Sequence, residues 1–402
     1  MSGKDLYIRV GTSYLKRCLM PMTGGEFREM YLPWNIETIR QDHSKDYIAG
    51  IRRYDGYCFF PAHVDYQREH GNFRNLYESL AHIPASGSWP NIWMFLTHIF
   101  GEQIELGLDY LQLLYLRPRQ RLPILLLVSR ERNTGKTTFL HLLKAIFGGN
   151  MTINTNEDFK SNFNSEWAMK LLIGVDEVLL NRKEDSERFK TLSTARTFKL
   201  EAKGKDRMEI EFFGKFVLCS NNEDCPVMID PDEIRYWVRK ITTIENDDTE
   251  LLARMRREIP AFLDFLSHRQ LSTSEESRMW FAPALLETPA LRRIVQYNRG
   301  QLGNEMLGIL EDIFQVHSED AYLFCVIDMQ NMLSVRDIKT EHTRIKRVLQ
   351  NSWALKPDKV TRYTSYRPAG DGTLFPEPRT GRPYSVTREF VAEKMLFCNS
   401  EG

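Results

Sequence analysis

The sequence predicts an α/β fold built on a parallel sheet, and three apolar runs carry that expectation. Ile124–Val128, Leu171–Val175 and the run that opens Lys215–Asn222 (KFVLCSNN) are short and continuous. Strands covered by helices on both faces read this way, whereas a half-exposed strand alternates apolar with polar. The first run is followed by Phe139, Leu142, Leu143 and Ile146 at helical spacing, with Gly148-Gly149 as a stop. Strand, polar turn and helix therefore follow one another in the order a parallel crossover needs.

The turn between that strand and helix contains Asn133-Thr134-Gly135-Lys136-Thr137-Thr138. Backbone N–H groups at a helix N-terminus carry partial positive charge and cradle phosphate oxygens. A lysine there reaches the β and γ phosphates, and a hydroxyl at the next position ligates Mg²⁺. Residues 133–138 are thus the expected cradle for a nucleoside triphosphate, with ATP and Mg²⁺ as cofactors. The pattern G-x-x-x-x-G-K-[ST] asks for glycine where this chain has Arg130, so only its second half is intact.

Magnesium needs a carboxylate and an attacking water needs a polariser. The second run delivers Asp176 and Glu177 at its tip. Asp176 is assigned with Thr137 to the metal shell and Glu177 to the water. The third run ends in Asn221 and Asn222, either of which could hydrogen-bond a γ-phosphate or the water. Ser-Asn-Asn is also ordinary turn chemistry. Between the last two runs, Thr197–Leu200 and 207–213 read as strands flanking Ala202-Lys203-Gly204-Lys205-Asp206. This is a hairpin whose glycine permits a tight turn and whose tip carries two ammonium groups.

The order GKT, DE, basic hairpin, SNN and then Arg235 resembles the superfamily 3 helicases, an AAA+ branch of DNA viruses, phages and mobile elements. The segments 75–103 and 230–241 (DPDEIRYWVRKI) look like the helicase part of phage and poxvirus-type primase-helicases, and the likeness spans most of residues 45–390. It implies an ATP-driven replicative DNA helicase that translocates on single-stranded DNA as a homo-oligomeric ring, a hexamer by likeness. Lys136 and Thr137 match its phosphate loop, Asp176 and Glu177 its acidic pair, and Asn221 its sensor. Arg235 matches the finger that stabilises γ-phosphate charge from a neighbouring subunit, with Arg239 as competitor. Lys203 and Lys205 would point into the channel and grip phosphates. Two alternatives stay open: an RNA-stimulated helicase or DNA-packaging ATPase, and a catalytically weak nucleotide-dependent module that binds DNA or a partner.

Composition bounds these readings. The values of 42% hydrophobic and 27% charged residues are ordinary for a globular chain. The charges balance at 54 basic and 54 acidic residues, so a nucleic-acid site must come from local patches and not from bulk charge. Six cysteines without C-x-x-C spacing argue against zinc and for reduced thiols. No apolar run approaches the roughly 18 residues of a membrane span, and MSGKDLYIRV lacks a signal core. The expected setting is cytoplasmic, in the host cell if the source is viral.

The organisation expected is an N-terminal connecting region (1–85), a helical collar (86–118), a P-loop AAA+ core (119–245), a helical extension (246–300) and a winged-helix-like domain (301–402). The first segment holds no acidic cluster suited to two-metal nucleotidyl transfer, so the expectation is a stand-alone helicase or a fragment, with a separate primase as one candidate partner. The collar carries the apolar stripe Ile92, Phe95, Leu96, Ile99 and then Ile104, Leu108, Leu111 and Leu114. In the last hundred residues, helices are expected at Leu307–Phe314 and His342–Trp353, and a strand at Tyr322–Val326. Val360–Tyr366 is expected to pair with Tyr384–Phe390 as a wing. There Arg362, Arg367, Arg379, Arg382 and Arg388 interleave with Tyr363, Tyr366 and Tyr384, a mixture suited to phosphates and bases.

Overall fold

A computed structural model describes the chain apart from residues 1–5, 22–26, 157, 159–163, 165, 179–182, 201–207, 231–232, 245–247, 337, 369–372 and 401–402. The chain forms two compact units, one of residues 1–179, 188–223 and 234–288, the other of residues 180–187, 224–233 and 289–402.

The first unit begins with β1 (Tyr7–Val10), β2 (Ser13–Pro21), β3 (Phe27–Trp34), helices α1 (Ile36–Asp42) and α2 (Lys45–Ala49), and β4 (Arg52–Tyr54). These strands form a sheet in the order β3-β2-β1-β4. Alternate β1 side chains serve two small cores, Tyr7 with Ile39 and Ile51, and Ile8 and Val10 with Leu15 and Tyr54. A three-stranded sheet follows, β5 (Gly56–Cys58), β6 (Glu69–His70) and β7 (Phe73–Asn75), in the order β5-β7-β6.

Two helices come next, α3 (Pro90–Phe100) and α4 (Ile104–Leu116). Proline at the first turn of α3 loses nothing, because its missing N–H would have no intrahelical partner. The expected stripe of α3 is buried. On α4, however, every residue from Leu106 to Tyr115 is buried, Asp109 and Gln112 included. The reason is polar satisfaction. Asp109 accepts from the Ser272 and Thr273 backbone N–H groups at 3.0 and 2.8 Å and pairs with Arg269.

The central sheet contains β8 (Ile124–Val128), β9 (Met151–Asn154), β10 (Leu172–Val175), β13 (Lys215–Ser220) and β14 (Tyr236–Lys240) in the order β14-β8-β13-β10-β9. Every neighbouring pair is parallel. The three runs read from sequence are its three inner strands, and each is buried along its length. After β8 the chain crosses through α5 (Lys136–Phe147) to the far edge, then returns inward, so β8 ends where the strand order reverses. Open α/β sheets bind ligands beyond the carboxyl ends of their strands at such a point. Helix α6 (Lys183–Thr194) precedes β11 (Thr197–Leu200), which pairs antiparallel with β12 (Met208–Glu211). Helices α7 (Leu251–His268) and α8 (Pro283–Leu286) complete the unit.

The second unit contains α9 (Pro289–Val316), β15 (Ala321–Phe324), α10 (Val326–Val335), α11 (His342–Arg347), β16 (Thr361–Pro368), β17 (Leu374–Gly381), β18 (Tyr384–Thr387) and α12 (Arg388–Ser400). The pairing differs from the one expected. β16 pairs with β17 inside the supposed turn, and β18 pairs with β15. Pro376 and Pro378 argue for a turn in sequence, yet they lie two apart on β17. The N–H that each lacks therefore falls on the same edge, and a two-stranded ribbon leaves its outer edge unpaired. Arg388, expected in the wing, instead begins a helix.

Candidate nucleotide-binding site

The carboxyl ends of β8, β13 and β10 lie side by side, with Ser220 paired to Val128 and Leu218 to Val175. The loop after β8 and the turn after β10 therefore flank the end of β13. They meet directly, because the Thr137 hydroxyl donates to Asp176 Oδ2 at 2.9 Å. Thr137 is exposed and Asp176 half-buried.

Gly135 caps α5 in the left-handed region, φ +84°, and a Cβ there would come within 2.9 Å of the Phe95 ring and 3.2 Å of Ile244. Asn133 is also left-handed, φ +53°, which asparagine tolerates. Its carbonyl accepts from the Ile244 N–H at 2.9 Å. The Thr134 carbonyl faces His98 Nε2 at 3.1 Å. Arg130 lies outside the left-handed region, so no glycine is required at that position. Its N–H donates to buried Glu223 at 3.0 Å, and the other Glu223 oxygen pairs with Lys240 at 3.0 Å.

Lys136 is 7% exposed. Its ammonium donates to the hydroxyls of Ser129 and Thr134, and burial holds its pKa below the usual lysine range. No ion pair to a carboxylate is formed among the described residues. A buried cation held by two hydroxyls is arranged to receive an anion, since burying charge without a partner costs free energy. Thr138 follows, half-buried, in the first turn of α5.

The acidic turn is held from below. The Val178 N–H donates to the Cys219 carbonyl at 2.7 Å, and Ser220 Oγ donates to the Val178 carbonyl at 2.7 Å. Glu177 is exposed at φ +57°, with its carbonyl bound by Asn156 Nδ2 at 3.0 Å. A non-glycine residue there is strained by about 1–3 kcal/mol, a conformation that clusters at functional sites. Asn221 is exposed at the end of β13, between the two loops.

Magnesium fits the pair at the centre. Two cis ligands of an octahedral ion at about 2.0–2.1 Å stand roughly 2.9 Å apart, which matches the Thr137–Asp176 spacing. Among the described residues no cluster of three or more His, Cys, Asp or Glu could hold a metal alone.

Arg235 does not join this group. It precedes β14, and its carbonyl accepts from the N–H of Ile124 at the start of β8. That is the amino end of the strands, about 13 Å from the carboxyl end along β8. Arg239 is committed elsewhere, to Glu102 at 2.6 Å and Gln103 at 2.9 Å. Lys203 and Lys205 lie outside the described residues. In the second unit several of the interleaved residues are occupied. Tyr363 is buried with its hydroxyl on Asp328, Arg379 also bonds Asp328, and Arg388 binds the carbonyls of Phe314 and His317.

Sequence reasoning missed Ser129, Glu223, His98 and Asn156, which support the loop and the acidic turn. Ser129 had a signal, being the first polar residue after the apolar run. The others come from distant elements and had none.

A family model described as a family of unknown function, DUF5906, matches residues 127–239, the stretch that carries the loop, the acidic turn and most of β14. No curated protein matches the chain. Among solved structures, the chain is similar to the apo structure of NrS-1 C-terminal region (305–718). The TM-score is 0.57 at 17% identity, covering 93% of this chain and 96% of that one. An A-form apo structure of the same region gives 0.56 at 17% identity, over 94% of each chain. This likeness establishes a shared fold. A JCV helicase structure aligns over 54% of this chain and 61% of that one with a TM-score of 0.28 and 14% identity, too low to support a structural argument. No described helix is long and apolar enough to cross a membrane.

Proposed function

We propose that this chain is an ATP-driven DNA helicase of superfamily 3 type, acting on single-stranded DNA as a homo-oligomeric ring, with a hexamer as the expected size. The observation that carries the reading is the 2.9 Å contact between Thr137 and Asp176, beside a buried lysine whose partners are hydroxyls. Tips of separate strands thereby converge where a magnesium-bound triphosphate would sit.

Bound Mg²⁺ would neutralise charge on the phosphate oxygens as it builds during transfer. Thr137 and Asp176 would hold it. Lys136, with the N–H groups of Asn133 to Thr138 around it, would bind the β and γ phosphates, and its low solvent exposure strengthens the attraction. Glu177 would orient the attacking water. Asn221 would report the state of the γ-phosphate through β13. Arg235, at the amino ends of the strands, would serve the site of a second copy, which makes oligomerisation part of the chemistry. Lys203 and Lys205, beyond the ends of β11 and β12, would contact the strand. The collar at 86–118 and the winged-helix role of 301–402 belong to the same proposal, as do a separate primase partner and a cytoplasmic setting.

The test is steady-state ATP turnover with and without single-stranded DNA, for wild type, Arg235→Ala and Lys136→Met. Both variants should be nearly inactive alone. Mixing them should restore turnover, because one supplies an intact loop and the other an intact finger. Turnover indifferent to DNA, with Arg235→Ala at the wild-type rate, would sink the motor reading.

A further inference from the structure

At the foot of the β11–β12 hairpin, a cavity of about 160 Å³ is lined by Arg119, Arg121, Ser193, Arg196, Glu211 and Lys215 among others. It lies at the amino ends of the central strands, since Lys215 begins β13 and Arg121 precedes β8. The triphosphate site is at the carboxyl ends. Four cationic side chains thus face one carboxylate. The Arg119 guanidinium carbon lies 4.7 Å from the Phe60 ring centroid. Arg121 and Arg196 form no ion pair among the described residues.

Lys215 is 3% exposed, and its ammonium donates to the carbonyls of Pro118 and Phe213. An ammonium has three donors, so one remains. Burial first, and the charge of Arg121 second, push its pKa down to about 7. Burial also lowers that of Arg121, followed by the charges of Arg196 and Arg278. Converging cations repel unless an anion joins them, and guanidinium edges match the oxygens of a phosphate. The cavity is well below the roughly 300–1,000 Å³ of pockets that enclose whole organic ligands. One tetrahedral anion fits it better than a nucleotide.

We propose that this cavity is a second phosphate site, held by Arg121, Arg196 and Lys215, and separate from the triphosphate site. The phosphate could belong to a nucleic-acid strand passing the hairpin or be free in solution.

The experiment uses full-length Lys136→Met protein, in which the nucleotide loop is disabled, and millimolar inorganic phosphate as the probe. Phosphate should raise its melting temperature. Adding Arg121→Gln or Arg196→Gln should weaken that effect at least tenfold in apparent affinity while leaving the phosphate-free melting temperature near that of the parent. Oligo-dT that competes the effect away identifies a strand phosphate. In that case each glutamine variant should also lower the slope of log affinity against log salt by about one. Phosphate binding untouched by oligo-dT identifies a free anion. The proposal is overturned if phosphate acts equally on parent and variants, or if phosphate has no effect and DNA affinity and salt slope are unchanged by either substitution.

Discussion

Replacing Lys136 by methionine separates a ligand-binding lysine from a structural one. The side chains are similar in length and volume, so packing is nearly conserved. In the protein the ammonium is 7% exposed and held by the hydroxyls of Ser129 and Thr134. Removing it costs two hydrogen bonds, roughly 0.5–1.5 kcal/mol each or somewhat more for a charged donor, and recovers the desolvation that depresses its pKa. These terms oppose each other, so ligand-free stability should stay within about 1 kcal/mol of wild type. Binding behaves differently. A charge-assisted bond to phosphate is worth about 1.5–3 kcal/mol, so affinity for magnesium ATP should fall roughly 10- to 150-fold. At a ligand concentration of 100 times the wild-type dissociation constant, wild type gains about 2.7 kcal/mol of stability. A variant weakened 100-fold gains only about 0.4 kcal/mol under the same conditions. Thermal unfolding with and without magnesium ATP reads both quantities. A ligand-free loss of 3 kcal/mol or more, with an undiminished ATP-induced shift, would refute the reasoning and make Lys136 a structural residue.

Gly135→Ala should be costly, because its φ of +84° and the Phe95 ring 2.9 Å from a Cβ leave no room. Left-handed strain of about 1–2 kcal/mol and overpacking of about 1–3 kcal/mol should appear as a lower melting temperature and weaker ATP binding, and wild-type behaviour in both would contradict this geometry. Asp109→Ala should cost about 1–3 kcal/mol by leaving the Ser272 and Thr273 N–H groups without their acceptor, while Arg269 keeps its pair with Glu105. Burial raises the pKa of Asp109, but bonds from Thr273, Arg269 and Ser272 outweigh it and hold the pKa below the ordinary value. Its contribution is therefore full above the unfolded-state pKa near 3.9 and is lost as pH falls through the folded value. Urea unfolding at pH 7 and pH 3 should show a smaller acid-induced loss in the variant than in wild type, and parallel losses would rule out this role.

Much of the core was legible because its signals are local. The inner strands β8, β10 and β13 announce themselves by continuous apolar runs, and the start of α5 by Gly-Lys-Thr after one of them. The edge strands β9 and β14 gave no comparable signal. β9 is short and only partly buried, and β14 ends in Arg239-Lys240. Their place is set by the sheet they complete. The ribbon β16–β17 was misread because prolines argue against a strand unless the unpaired edge is known, and that edge is a property of the pairing.

By itself the sequence supplied the candidate groups for a phosphate, a metal or a water: an ammonium at 136, a hydroxyl at 137, carboxylates at 176 and 177, an amide at 221. Those assignments follow from side-chain chemistry and from strand-then-turn order along the chain. Only the tertiary structure decided that Thr137 and Asp176 touch, that Lys136 is buried against the hydroxyls of Ser129 and Thr134, and that Arg235 lies at the amino ends of the strands while Arg239 is tied to Glu102. Distance across a sheet depends on strand order and register, which arise from long-range pairing. No local pattern of residues encodes them.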